Sequence, residues 1–567
     1  LSILERADHE TTNADWGQVW VKNDTPNKLY FTDDAGTDHD LTAGGGIGGT
    51  VSDNYIPIGT ASDTIGNFVL GLTENDSIYL GSNPESTTNT AQNNTALGIS
   101  ALNDITTGDN NTAIGIQAGQ KITTQERNTI MGVSALRYAS GSASYNVAIG
   151  YATMGASDQE GSQNTAVGYY ALSGATGANA VTAVGHLAAR DLTTGDSHVA
   201  IGKSAMLKVT TSSYNTVIGV DALSDVDGAG STTAVGFGAM KYSSADNATG
   251  IGQYALSGAT GDKNAALGNS AGAIAKGSAN SQMVGYQAGF HPTGNYNTWM
   301  GYRAGYGVLD NGAYQNVGIG QEVLGDITSG YYNVAAGVFA GTNMTTGHNN
   351  VAIGPRALND ATTATNNVAI GSYAATGMTD GQYNVAVGQQ ALQENTQGDE
   401  NVAIGYYSLY NTNPTANEGD NVAVGSKTGF TNTTGVQNTF IGHRAGYSNT
   451  TASQQVYVGR EAGYSNTTGT TNIFIGARSG YLNTTGSYNT VVGYQALYNN
   501  VDGDRNTAIG YQALHSLEPS DGGGTNTALG DRAAYSMSTG HSNTVLGYTA
   551  AYQSIVSYSY AIISCTI

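Results

Sequence analysis

The chain has 567 residues, 80 of them Gly and only 7 Pro, and just 11% are charged, with a net charge of −22. That charge content is less than half the usual ~25%, too little to dress the outside of helical bundles or coiled coils, and the scarcity of Pro and charge also argues against disorder. Gly does not recur every third residue, no apolar run reaches the roughly 18 residues of a membrane span, and the single Cys565 excludes a disulfide framework.

Residues 1–42 read as a small β attachment module. Two short strands, 19–21 and 29–32, flank a turn at 24–27, and Asp34, Ala35 and Gly36 form a further turn. Residues 43–74 form a Gly-rich joint and transition that opens with AGGGIGG.

From 75 to 552 the chain repeats. Taking the Gly that closes each apolar stretch as position zero, 28 anchors run from Gly81 to Gly547 at a modal spacing of 17. That period is too short for helix-pair or propeller-blade repeats, so each unit is one coil of a parallel β-solenoid. The columns predict a strand at −4 to −1, a bend at the anchor, a short second stretch at +1 to +5, and a loop. Position −4 is Asn in about 21 of the 28 repeats, which in stacked coils builds an amide ladder. Position +10 is often Gly after Thr-Thr (Gly108, Gly195, Gly347, Gly469, Gly486), a signal for a turn that needs φ > 0. Residues 553–567 read as a tail or cap.

A volume swap identifies the interior. Most coils pair Ala at −2 with Leu at +4, as Ala508 with Leu514, whereas Trp299, Phe440, Tyr457 and Phe474 each accompany a Gly at +4 (Gly305, Gly446, Gly463, Gly480). Because interiors are close-packed, −2 and +4 are expected to meet inside a thin two-walled roll. Strand alternation then turns −3 and −1 outward, yet these columns hold Val, Thr, Ile and Leu. Such an apolar strip exceeds what a monomer exposes. Ile353, Ile370, Val387, Ile404 and Val424 are therefore candidate contacts of a closed oligomer.

The N-x-A-I-G-x-x-A pattern, as in NTAIG at 506–510 with Ala513, resembles the head repeat of YadA-like trimeric adhesins. The resemblance implies a left-handed parallel β-roll with three chains around one axis, hence a homotrimeric rod. The segment WGQVWVKNDTPNKLYFTDDAGTDHDL (16–41) resembles modules that open virion fibre proteins of tailed phages. That second resemblance implies a phage tail fibre or similar virion appendage, joined to a baseplate or another fibre segment through the N-terminal module.

No catalytic constellation is present in the sequence, and no cofactor or metal is expected. His186, His198, His291, His348, His443, His515 and His541 sit singly in different coils, and no P-loop occurs. Asp502 and Asp504 flank Gly503 and could touch Ca²⁺, but a hydrated loop accounts for them better. No basic stripe of the kind that neutralises phosphates is visible, so nucleic acid is not expected as a partner, and neither is membrane insertion.

The 36 Tyr cluster at +1 (Tyr494, Tyr511), +5 (Tyr447, Tyr464) and −5 (Tyr145, Tyr488). Such rings can stack on sugar faces or simply on each other, and coil-to-coil stacking is the favoured reading. Rings at +5 are expected to fill the space that Leu would occupy beside a Gly at +4. Two long loops, 411–421 and 515–526, add Pro414, Asp420, Pro519 and Asp521 as candidate glycan contacts, since insertions in solenoids often carry binding. The function these features predict is a structural, adhesive fibre that contacts a host-surface glycan or protein. The alternatives are the head of a bacterial trimeric adhesin at the cell surface and, less favoured, an ice-binding solenoid.

Overall fold

The computed structural model describes the backbone at 5–6, 18–22, 28–32 and 38–40, and then residues 77–80, 90–155, 158–291, 294–307, 312–414, 418–518, 523–553 and 561–563. Every regular element among them is a β-strand. Near the N-terminus, β1 (Glu5–Arg6), β2 (Gln18–Lys22), β3 (Lys28–Thr32) and β4 (Asp38–Asp40) form one sheet in that order. The two expected strands are β2 and β3, antiparallel with Trp20 opposite Tyr30. β1 runs parallel to β2 and β4 antiparallel to β3.

The chain divides into two compact units, Leu1–Tyr170 and Ala171–Ile567. In the first, six three-residue strands from Ile78–Leu80 to Thr165–Val167 pair in parallel, each with the next. In the second, 23 strands from Thr182–Val184 to Ala561–Ile563 do the same. Both ladders are parallel β-solenoids with a repeat of about 17 residues, aligned column on column, as Val351↔Val368 and Ile353↔Ile370 show. The last strand falls within the expected tail and pairs with Thr544–Leu546 although no anchor Gly follows it.

Each coil has one strand, not two. The stretch from +1 to +6 is a ribbon of turns in which +2 and +4 are both left-handed, as at Gln495 (φ 50°) and Leu497 (φ 49°). This twist sends hydrogen bonds alternately down and up the stack: Gln495 N–H donates to Ala477 O (3.0 Å) and Leu497 N–H to Ala513 O (2.9 Å). The ribbon thus satisfies its backbone without being a strand.

The anchor is Gly for two reasons. At Gly493 φ is +142°, and a Cβ there would lie 2.2 Å from Gly510 O in the next coil. The +10 glycines need a correction: none of Gly108, Gly195, Gly347, Gly469 and Gly486 has a positive φ. Close backbone approach selects them instead, since a Cβ on Gly195 would sit 1.9 Å from Ser212 O and one on Gly469 2.2 Å from Gly486 O.

The −4 amides form the expected ladder, fully buried. Asn350 Oδ1 accepts the Asn367 backbone N–H (3.0 Å), while Asn350 Nδ2 donates to Ala364 O at the end of its own coil (2.8 Å). Each amide therefore ties the next strand above and its own loop below. A second ladder at +7 escaped the sequence reading: Asn449 Nδ2 donates to Asn432 Oδ1 (2.7 Å), Asn483 Nδ2 to Asn466 Oδ1 (2.8 Å) and Asn500 Nδ2 to Asn483 Oδ1 (2.7 Å). Its signal was the Asn that recurs at +7 in successive coils, Asn432, Asn449, Asn466, Asn483 and Asn500; other coils place Ile105, Leu192 or Met344 there.

Candidate interface and binding surfaces

Strand alternation fixes the strip. From Thr95–Leu97 to Thr544–Leu546 the central residue of each strand is buried and its neighbours are not, so Ile353, Ile370 and Ile404 are 40%, 38% and 39% exposed and Val387 and Val424 are half-buried. Consecutive members pair across the ladder, Ile370↔Val387, Val387↔Ile404 and Ile404↔Val424, so the apolar surface is continuous from coil to coil.

The opposite face of the same strands builds the core. Ala508, Leu514, Phe440 and Trp299 are buried, and the two walls meet as the volume swap predicts. A Cβ on Gly305 would lie 2.2 Å from Trp299 Cδ2, and one on Gly446 2.7 Å from Phe440 Cε1. Trp299 also needs a small neighbour in the next coil, Gly318 at −2, where a Cβ would fall 2.7 Å from its Cε3. Columns +3 and +4 face inward, so +2 and +5 lie on the outer side of the second wall, away from the strip.

The +5 column corrects one expectation. What replaces Leu beside a Gly at +4 is the −2 ring, not the +5 ring. From Tyr410 onward the +5 rings stay half-buried on the outer wall and stack in one file: Tyr410, Phe430, Tyr447, Tyr464, Tyr481, Tyr498, His515, Tyr535 and Tyr552, with centroids 4.8–5.3 Å apart. Ring covers ring, so no interior member of the file offers a free face to a sugar. A shorter file at −6, Tyr314 on Tyr331 on His348, was not foreseen.

At +1, Tyr494 and Tyr511 stack at 5.4 Å and are each 40% exposed, and the Arg532 guanidinium lies over the Tyr511 ring at 5.2 Å. Pro414 is buried, against the site where a Cβ on Gly398 would lie (2.6 Å from Pro414 Cγ), so it presents no surface to a ligand. Asp420 is exposed. Pro519 and Asp521 lie outside the described residues.

Many loop carboxylates do local work. Asp399 Oδ1 accepts the Gln382 N–H and Asp504 Oδ1 the Ser487 N–H, both at 2.7 Å, each capping the loop of the coil before. The spacing of these acids at +11 was the sequence signal. Compared with family models, curated proteins and solved structures, the chain matches none.

Proposed function

We propose that the chain is the shaft of an adhesive fibre, a left-handed homotrimeric solenoid carried on a virion as part of a tail fibre or similar appendage. The observation that carries the trimer is the strip of Ile353, Ile370, Val387, Ile404 and Val424, apolar and outward in every successive coil. Full burial of a Val or Ile contributes about 1.5–3 kcal/mol, so side chains already half-covered gain about 1 kcal/mol per coil in each chain. Summed along a ladder, that exceeds the cost of association, and three copies around one axis close the strip without leaving an open edge. The parallel ladder, the two Asn files and the stacked rings suit a rod that transmits load. The virion assignment rests on the resemblance of residues 16–41. A bacterial adhesin head shares the repeat and is the alternative.

Analytical ultracentrifugation tests the oligomer. The wild type sediments as a trimer, and Ile370→Asp with Ile404→Asp, which puts rings of buried like charge in the strip, abolishes that state. A folded wild-type monomer overturns the reading. Detection of the chain by mass spectrometry in purified tailed virions, or in bacterial envelopes instead, separates the two carriers.

A further inference from the structure

The outer wall carries a charge reversal. Between Asp420 and Asp502 the chain has four basic residues, Lys427, Arg444, Arg460 and Arg478, against one carboxylate, Glu461, although the whole chain is at −22. Lys427, Arg444, Glu461 and Arg478 occupy column +2 of four successive coils, and Arg460 sits beside them at +1. Glu461 is 8% exposed and is held by Arg478, whose Nε lies 2.7 Å from Glu461 Oε2, with Arg460 at 3.9 Å. Lys427 and Arg444 have no carboxylate within ion-pairing distance among the described residues. Arg444 and Arg478 lie over the rings of Tyr447 and Tyr481, at 5.8 and 5.7 Å, so their guanidiniums are held against the aromatic file.

We propose that this patch binds a linear polysaccharide that carries a carboxylate or sulfate on alternate sugars. This deepens the adhesive reading by naming the ligand class and its place. Column neighbours repeat at the strand spacing, so Arg444 and Arg478 are about 10 Å apart along the axis. A pyranose chain laid along the wall advances by nearly one strand spacing per ring, which sets one charge on alternate sugars against every second coil. Charge-assisted, forked contacts from Arg suit carboxylate and sulfate alike. Nucleic acid fits poorly: it would need a denser basic track and free aromatic faces for its bases, and ring-on-ring stacking from Phe430 to Tyr498 has used those faces.

The test uses the full chain against immobilised hyaluronate (carboxylate only), chondroitin sulfate, neutral dextran and a poly(dT) oligonucleotide. Wild type binds one or both acidic polysaccharides and not dextran, and its affinity falls as NaCl rises from about 50 to about 200 mM. The hyaluronate and chondroitin arms tell which anion is preferred. The combined variant Lys427→Gln, Arg444→Gln, Arg460→Gln leaves the Glu461–Arg478 pair intact and loses about tenfold or more in affinity. A variant that sediments and melts like wild type yet keeps its affinity overturns the patch and leaves the adhesive reading standing. Tighter binding to poly(dT), or wild-type binding insensitive to salt, overturns the proposal without reference to any variant. Failure of wild type to adhere to any cell surface would instead count against the adhesive reading.

Discussion

The Phe440 ring lies against Gly429, a residue of the coil before its own: a Cβ on Gly429 would sit 2.9 Å from Phe440 Cδ2. The same ring presses on Gly446 in its own coil. Trp299 repeats the arrangement with Gly289 and Gly305, and Met283 with Gly272 and Gly289. A large side chain at −2 therefore spans two coils of the facing wall. Replacing Leu514 with Gly opens a cavity beside Ala508 and lowers stability by about 2–5 kcal/mol per chain. Ala508→Phe should restore the melting temperature of Leu514→Gly only when Leu497 is also Gly. Full rescue with Leu497 in place would show that the ring contacts its own coil alone.

Tyr457 poses a different packing problem, because its ring brings a hydroxyl into the roll. The hydroxyl donates to Gln455 Oε1 at 2.8 Å, and burial pushes its pKa well above the ordinary phenol value. Gln455 stands where other coils have Asn, and its extra methylene reaches the hydroxyl while Oε1 still accepts the Asn472 N–H at 2.9 Å. Gln455→Asn should cost about 1–3 kcal/mol per chain by removing the acceptor of the buried Tyr457 hydroxyl. In a Tyr457→Phe background the same change should cost much less. Equal costs in the two backgrounds, read from denaturant midpoints, would show the pair uncoupled.

These two cases mark what the sequence made legible. Coil period, wall contacts and the −4 ladder were readable because each is a column in which one physical demand repeats, so Asn350, Asn367 and Ala508 announce their roles by recurrence. The +2 and +4 turns were not, because Gln495 and Leu497 are ordinary residues held at positive φ by hydrogen bonds to neighbouring coils. Gly195 and Gly469 were recognised as constrained but for the wrong reason: conformation and crowding select the same residue, and only the distance to Ser212 O or Gly486 O tells them apart. The charge reversal at Lys427–Arg478 was hidden by averaging over a chain whose net charge is −22.

A last prediction concerns the rung where the ladder changes chemistry. His198 occupies position −4 and is buried; its Nε2 lies 2.7 Å from Ser212 O and its Nδ1 3.2 Å from the Asn215 N–H. A carbonyl on one nitrogen and an N–H on the other fix a neutral ring, with Nε2 donating and Nδ1 accepting. Protonation would set Nδ1–H against the Asn215 N–H. Burial lowers the His198 pKa below its ordinary 6.5, with the Ser212 hydrogen bond and the nearby Asp196 carboxylate pulling weakly the other way. The unfolded chain therefore takes up a proton below pH 6.5 that the folded chain refuses, so this contribution to stability is complete above pH 6.5 and is lost as pH falls through it. His291 and His515 shift in the same direction, so wild-type stability falls in acid from all three sites. The difference between wild type and His198→Asn isolates the rung, because Asn restores an amide that does not titrate. Thermal midpoints of the two proteins should run parallel above pH 6.5 and separate below it, with the Asn variant the more resistant to acid. A difference that stays constant across that range would mean that His198 does not titrate on unfolding.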